Sequence, residues 1–345
     1  MLDPALERLA SDGPDLRSGM TSHAPMVAEA LCALGRPEAV IPWLERYRAG
    51  ALSRPAQRER IDLVHWRRAL SHADRFSDWS AFFAAELADA PWREVLDRWV
   101  ARLAPGICAA ATHGVIRVGH AARALGAFES RLRLAELADA LASWASTYQV
   151  LPTARRAEQR SLAPLDALAG VCLVPPESRR FSGTIVSSLE ALDDFPDFAQ
   201  VIWLLDRKAR PADRVAELAE LFARVILENA HDPLTAIVFT HGVTSLAAFG
   251  NLLPHIADTT ARAALPFAWQ SACGLYSAFG SRPVGSVQIA PVAEAPETLI
   301  DRAIEHGDEH AIKLVEACLA QNARRPSPAF AAAAQKVLDL LPTAR

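Results

Sequence analysis

Apolar residues recur at three- and four-residue spacing through most of this 345-residue chain. One run holds Phe82, Phe83 and Leu87, and the next holds Trp92, Val95, Leu96, Trp99, Val100 and Leu103. That period puts the apolar side chains on one stripe of a helix. Pro91 opens the second run and Pro105-Gly106 closes it, as proline and glycine do at helix ends. The same reading predicts further helices near 25–35, 37–49, 106–125, 131–149, 211–230, 242–253, 259–278, 296–306, 309–322 and 328–341. Alternating strand patterns are scarce. The expectation is an all-α chain, one large helical domain over 1–345. It has two possible halves, 20–150 and 184–322, joined by a long central connection where Pro175, Pro176 and Gly183 interrupt the pattern.

Composition narrows the function classes. Half the residues, 51%, are hydrophobic, so a sizeable core is available. No uninterrupted apolar run approaches the ~18 residues of a membrane span. The net charge of −4, with no basic block, argues against a nucleic-acid partner held by counterion release. The first residues lack the basic and apolar regions of a secretory signal, so a cytoplasmic location is expected. Cys32, Cys108, Cys172, Cys273 and Cys318 are scattered with no C-x-x-C pair, and read as buried small hydrophobes.

Two histidine-led patterns each occur twice. Thr112-His113-Gly114-Val115 recurs at Thr240-His241-Gly242-Val243, and His23-Ala24 with Glu29-Ala30 recurs at His310-Ala311 with Glu316-Ala317. The copies run in opposite order, which suggests two diverged halves about a pseudo-twofold axis, each giving two histidines. Neutral imidazole ligates iron, zinc or copper, so His23, His113, His241 and His310 form a candidate metal site. The plainer alternative is chance matching in an alanine-rich helical chain, with each histidine an ordinary hydrogen-bonded residue.

Other residues group around these four. His120 lies seven residues after His113 with Arg117 between them, on one helix face. The second copy has Ala248 in the place of His120, so His120 and Arg117 are assigned a supporting role behind the ligands. His306, His310 and Lys313 share a face of another helix. Lysine is rare here, Lys208, Lys313 and Lys336 among 36 basic residues. Lys313 reads either as a solvated helix position or as a desolvated amine whose lowered pKa lets it capture carbon dioxide. The carbamate so formed would be an anionic oxygen donor. Asp308 is placed to cap the helix of His310, and Ser22 precedes His23 with Pro25 in the first turn. Glu29 and Glu316 are candidate acceptors for ring N–H groups, or else solvated carboxylates. His65, His72 and His255 have no duplicated counterparts and read as structural or exposed. No G-x-G-x-x-G, P-loop or G-x-S-x-G fingerprint is present, so nucleotide binding and serine hydrolysis lack support.

The segments SHAPMVAEAL (22–31), PWREVLDRWVARLAPG (91–106), ATHGVIRVGHAARAL (111–125), FTHGVT (239–244) and GDEHAIKLVEACL (307–319) together resemble the questin oxidase-like family, in order as well as content. That family is known for oxidative opening of a polyketide anthraquinone ring, a Baeyer–Villiger-type outcome, and includes non-haem iron enzymes with histidine and carboxylated-lysine ligands. The resemblance implies Fe(II) held by His23, His113, His241 and His310 with carboxylated Lys313, and a small aromatic or quinone substrate with O2. An external reductant, NADPH-linked, is a further possibility. Trp269, Phe267 and Tyr276 on one predicted helix are candidate walls for the ring, with core packing as the alternative. Two other function classes stay open, a non-catalytic helical scaffold binding a partner and a metal-dependent hydrolase using carboxylated lysine.

Overall fold

A computed structural model describes residues 1–155, 158–285, 289–290, 292 and 294–343. The protein is mostly all-α, and the chain divides into two compact units. The first unit comprises Met1–Gln149 with Asn251–Thr260, and the second Val150–Gly250 with Ala261–Arg345.

Seven helices build the first unit: α1 (Leu2–Leu9), α2 (Ala24–Ala33), α3 (Val40–Tyr47), α4 (Phe76–Asp89), α5 (Trp92–Leu103), α6 (His113–Ala127) and α7 (Arg131–Ser146). A small antiparallel ribbon, β1 (Asp12–Leu16) with β2 (Ala51–Ser53), pairs Asp12 with Ser53 and Leu16 with Ala51. The stripe read from the sequence is the buried face of α5, where Trp92, Val95, Leu96, Trp99, Val100 and Leu103 all point inward. Trp99 meets Trp66, Trp79, Phe82 and Phe83 edge-on at ring separations of 5.0–5.9 Å, a geometry that aligns ring edges with ring faces. Segment 251–260 packs onto this unit. There the His255 ring lies 5.0 Å from the Trp92 ring, and the Ala257 N–H donates to Asp97.

The second unit holds α8 (Pro164–Ala169), α9 (Ile185–Leu189), α10 (Pro211–Asn229), most of α11 (Pro233–Leu252) and of α12 (Asp258–Phe279), then α13 (Pro296–His306), α14 (Glu309–Arg324) and α15 (Pro328–Leu340). Helices α10, α14 and α15 pack on one another. The inner face of α10 carries Val215, Leu218, Ala219, Phe222, Val225 and Ile226 at helical spacing. Caps are local: Ser327 accepts from Ala329 N–H, and Asp308 from the N–H groups of His310 and Ala311.

Differences from the sequence-based boundaries have physical causes. Helix α11 starts at Pro233 rather than 242 because it is apolar and buried nearly all round, so no stripe marks its first turns. Helix α6 starts at His113 rather than 106 because Ala110, Ala111 and Thr112 all have positive φ, at 46°, 54° and 76°. The segment Pro233–His255 is long and apolar enough to cross a membrane, but 89% of its apolar 18-residue stretch is buried inside the protein, as in a core helix. Cys172 is exposed, against the expectation of a buried small hydrophobe, whereas Cys108, Cys273 and Cys318 are buried.

Candidate metal-ligating residues

In the first unit the structure brings His23 and His113 together, with their Nε2 atoms 2.6 Å apart and ring centres 4.5 Å apart. His113 owes its position to the left-handed turn before α6. That turn aims the Ala110 carbonyl at the ring, which donates Nδ1–H to it at 2.5 Å. A carbonyl can only accept, so the proton sits on Nδ1 and Nε2 presents a lone pair. His23 is itself the N-cap residue of α2, and its backbone N–H donates to the Tyr47 hydroxyl at 2.8 Å. Ser22 does not act as the cap residue; its hydroxyl lies 3.5 Å from the Ala24 N–H. Two nitrogens bound to one ion at about 2.0–2.1 Å each lie roughly 3 Å apart, so this pair is near ligating separation.

In the second unit His241 and His310 are brought together, with ring centres 5.3 Å apart. His241 donates Nδ1–H to the Ile237 carbonyl at 2.8 Å, one turn back on α11, which again leaves Nε2 as the lone-pair nitrogen. His310 lies in the first turn of α14, its Nδ1 3.3 Å from the Asp308 carboxylate. Lys313 follows one turn later and is 1% exposed. Among the described residues its Nζ has no hydrogen-bond partner. Burial pushes its pKa down to about 8, with Glu309 and Asp308 partly opposing. An ammonium buried without a partner is costly, so burial brings the neutral amine within reach near neutral pH and a derivatised amine removes the charge altogether.

These details bear on whether a metal fits. Neutral imidazoles whose Nδ1–H groups are already committed are the usual ligand arrangement, because the outer hydrogen bond fixes tautomer and ring direction. His113 and His241 have it, so the donor set suits a divalent transition ion.

The two THGV copies differ locally. Thr112 is the left-handed residue before α6, whereas Thr240 lies inside α11. Their glycines share a purpose. A Cβ on Gly114 would lie 2.9 Å from the Trp144 backbone, and one on Gly242 would lie 3.0 Å from the Phe222 ring. In each copy an aromatic residue closes on the backbone beside the histidine.

The remaining assigned residues are held within their own units. Glu29 accepts from His120 Nδ1 at 2.7 Å and from Arg123 Nε at 2.8 Å. Burial would raise its pKa, but Arg123 and His120 outweigh that and hold it at about 2. Arg117 is buried and pairs through two bonds with Glu136, at 2.7 and 2.8 Å. His306 donates to the Leu341 carbonyl at 3.1 Å, and Glu316 is buried on α14. Trp269 and Tyr276 are buried and bonded to the backbone carbonyls of Val201 and Arg282, whereas Phe267 is half-buried. His65 and His72 are exposed. Sequence reasoning missed Tyr47, Arg123, Glu136 and the two orienting carbonyls. Backbone acceptors leave no mark in side-chain patterns, and the other three lie outside the repeats.

The sequence profile of the questin oxidase-like family matches residues 20–318, most of the chain. The chain belongs to this family. No curated protein matches it. Membership in the questin oxidase-like family points to an oxygenase-type enzyme, and the matched span contains both histidine pairs and Lys313.

Proposed function

We propose that the protein is an iron-dependent oxygenase that opens a ring of an aromatic or quinone-type small molecule, working in the cytoplasm with O2. In this reading His23, His113, His241, His310 and Lys313 hold Fe(II). The observation that carries it is the pairing of duplicated, buried histidines within each unit of a questin oxidase-like chain. Iron, when bound, activates dioxygen and passes electrons to it.

The chain's own residues do the rest. The Ala110 and Ile237 carbonyls keep protons on Nδ1 of His113 and His241, so neither ring must tautomerise to bind metal. Lys313 Nζ, as the neutral amine, attacks the carbon of CO2 and loses one proton, giving a carbamate. Beside four neutral imidazoles, the single carbamate anion would offset part of the charge of the bound ion.

Elemental analysis of freshly purified, unchelated protein tests the reading, with about one iron per chain expected. His241→Ala should lose most of that metal and His72→Ala should keep it. Absence of any transition metal after anaerobic iron loading would sink the oxygenase reading. Metal-dependent hydrolysis without oxygen uptake would replace it with the hydrolase.

A further inference from the structure

A cleft of about 210 Å³ opens in the first unit between α1, α4 and α7, and none of the paired histidines lines it. The exposed residues Ala10, Ala84 and Ala135 stand at its mouth, while Ser22, Pro25, Arg117 and Ala138 lie buried at its floor. Ser22 and Pro25 flank His23-Ala24 in the chain, and Arg117 follows His113 by one turn of α6. The cleft thus runs from solvent to the segments that carry both histidines of this unit.

Its polar lining is neutral once Asp12 is counted with Arg48, which holds it through two hydrogen bonds without itself lining the cleft. Arg117 is matched by Glu136, and Arg54 by Asp139, which also accepts from the Ser80 hydroxyl at 2.5 Å. Each cation has its anion, so a charged ligand would meet no compensating excess. Hydrogen-bonding capacity nevertheless remains. Arg117 is more than nine-tenths buried, lines the cleft, and among the described residues its Nη1 makes no hydrogen bond. Carboxylate oxygens can accept more than one donor each. A ligand that both donates and accepts, such as a hydroxyl group, satisfies both kinds of atom. Leu6, Leu132 and Pro25 add apolar surface to the lining.

Size restricts the ligand further. A cavity of roughly 150 Å³ accommodates benzene, whereas pockets for drug-sized molecules begin at about 300 Å³. We infer that this cleft binds an uncharged single-ring polyhydroxybenzene, with its hydroxyls on Arg117, Glu136 and Asp139 and its ring against the leucines and Pro25. The inference rests on the oxygenase reading for its choice of an aromatic ring, and it narrows that reading from fused three-ring quinones to one ring. Such a ligand serves as the substrate to be opened or, where two hydroxyls are ortho or para, as a two-electron, two-proton reductant leaving as a quinone. The chemistry of recognition is the same.

Calorimetric titration of metal-free, full-length protein with resorcinol, which resists air oxidation, tests the inference. One saturable site per chain is expected, with 1,8-dihydroxyanthraquinone binding at least tenfold more weakly. Ala135→Leu fills the mouth from an exposed position, so the fold should persist, as unchanged thermal unfolding would verify. It should weaken resorcinol about tenfold or more, since a few carbon atoms in a fitted pocket have effects of that order. Arg117→Lys keeps the charge but loses the fork, and should also weaken binding. Equal affinities for parent and Ala135→Leu, or no saturable binding, would overturn the inference. Iron content, measured separately, keeps the two readings apart. Resorcinol binding without iron would refute the oxygenase alone, and iron without resorcinol binding the cleft alone. With iron-loaded protein and hydroquinone in place of resorcinol, a ring-opened product marks the substrate role and recovered 1,4-benzoquinone the reductant role.

Discussion

Lys313 is the residue at which stability and function pull apart. Its amine is fully buried and its pKa is pushed down to about 8 by desolvation, so in metal-free protein near neutral pH it is a charge in an apolar place. Lys313→Met keeps the length and removes the charge. The metal-free variant should be more stable than the parent by about 1–3 kcal/mol in urea unfolding at pH 7, while binding little iron. Lys313→Arg keeps the charge, cannot form a carbamate, and should lose iron without that gain. A Lys313→Arg protein that holds iron as the parent does would refute the ligand role. Glu29 shows the opposite balance. Its folded pKa of about 2 lies below the ordinary carboxylate value of 4.5, so its ionisation favours the native state above about pH 4.5. That contribution, about 3 kcal/mol at most, fades as pH falls toward 2. Glu29→Gln should be less stable at pH 6 and lose less on acidification between pH 4.5 and 2. Equal slopes of stability against pH would remove Glu29 as a source of acid sensitivity.

The elements explain what could and could not be read from letters. Amphipathic helices such as α5 and α10 were legible because one buried face imposes a 3.6-residue stripe. The start of α11 was not, because a helix buried on nearly all sides carries no stripe. The left-handed turn Ala110–Thr112 was also hidden, since nothing in Ala-Ala-Thr announces positive φ as glycine or asparagine would. Each such residue costs roughly 1 kcal/mol, and the turn persists beside the carbonyl that orients His113. Ala111→Gly should therefore raise stability by up to ~1 kcal/mol and leave iron content unchanged. A large loss of stability would show that the alanine methyl matters more than the backbone. The motif glycines separate similarly. Gly114→Ala forces a Cβ to within 2.9 Å of the Trp144 backbone, whereas at Gly242 the obstacle is an aromatic ring at 3.0 Å that can tilt. The first substitution should cost about 1–3 kcal/mol. The second should be close to neutral, because alanine is the better helix former by about 1 kcal/mol. Thermal unfolding of the two variants would expose a reversed order.

At the scale of the whole molecule, the all-α architecture was legible, and so were the duplicated motifs. The return of segment 251–260 to the first unit was not, because it depends on a stacking contact between His255 and Trp92 and a hydrogen bond from Ala257 to Asp97. Neither has a periodic signature. The histidine pairs are divided between the units, His23 and His113 in the first, His241 and His310 in the second. The proposed iron ligation draws on both, which sets a stoichiometric test. A ligand that binds only the native state raises stability by RT ln(1 + [L]/Kd), about 2.7 kcal/mol at a hundredfold excess over Kd. Anaerobic iron should therefore raise the unfolding temperature of the parent, and chelation should return it to the metal-free value. His113→Ala alters only the first unit and His310→Ala only the second. If one ion needs all four histidines, each variant alone should lose nearly the whole equivalent of iron and nearly all of the thermal shift. If the pairs bound metal independently, the parent would hold about two equivalents and each variant would keep one. That second outcome would leave the histidine pairs as metal sites and overturn the four-histidine ligation proposed for iron.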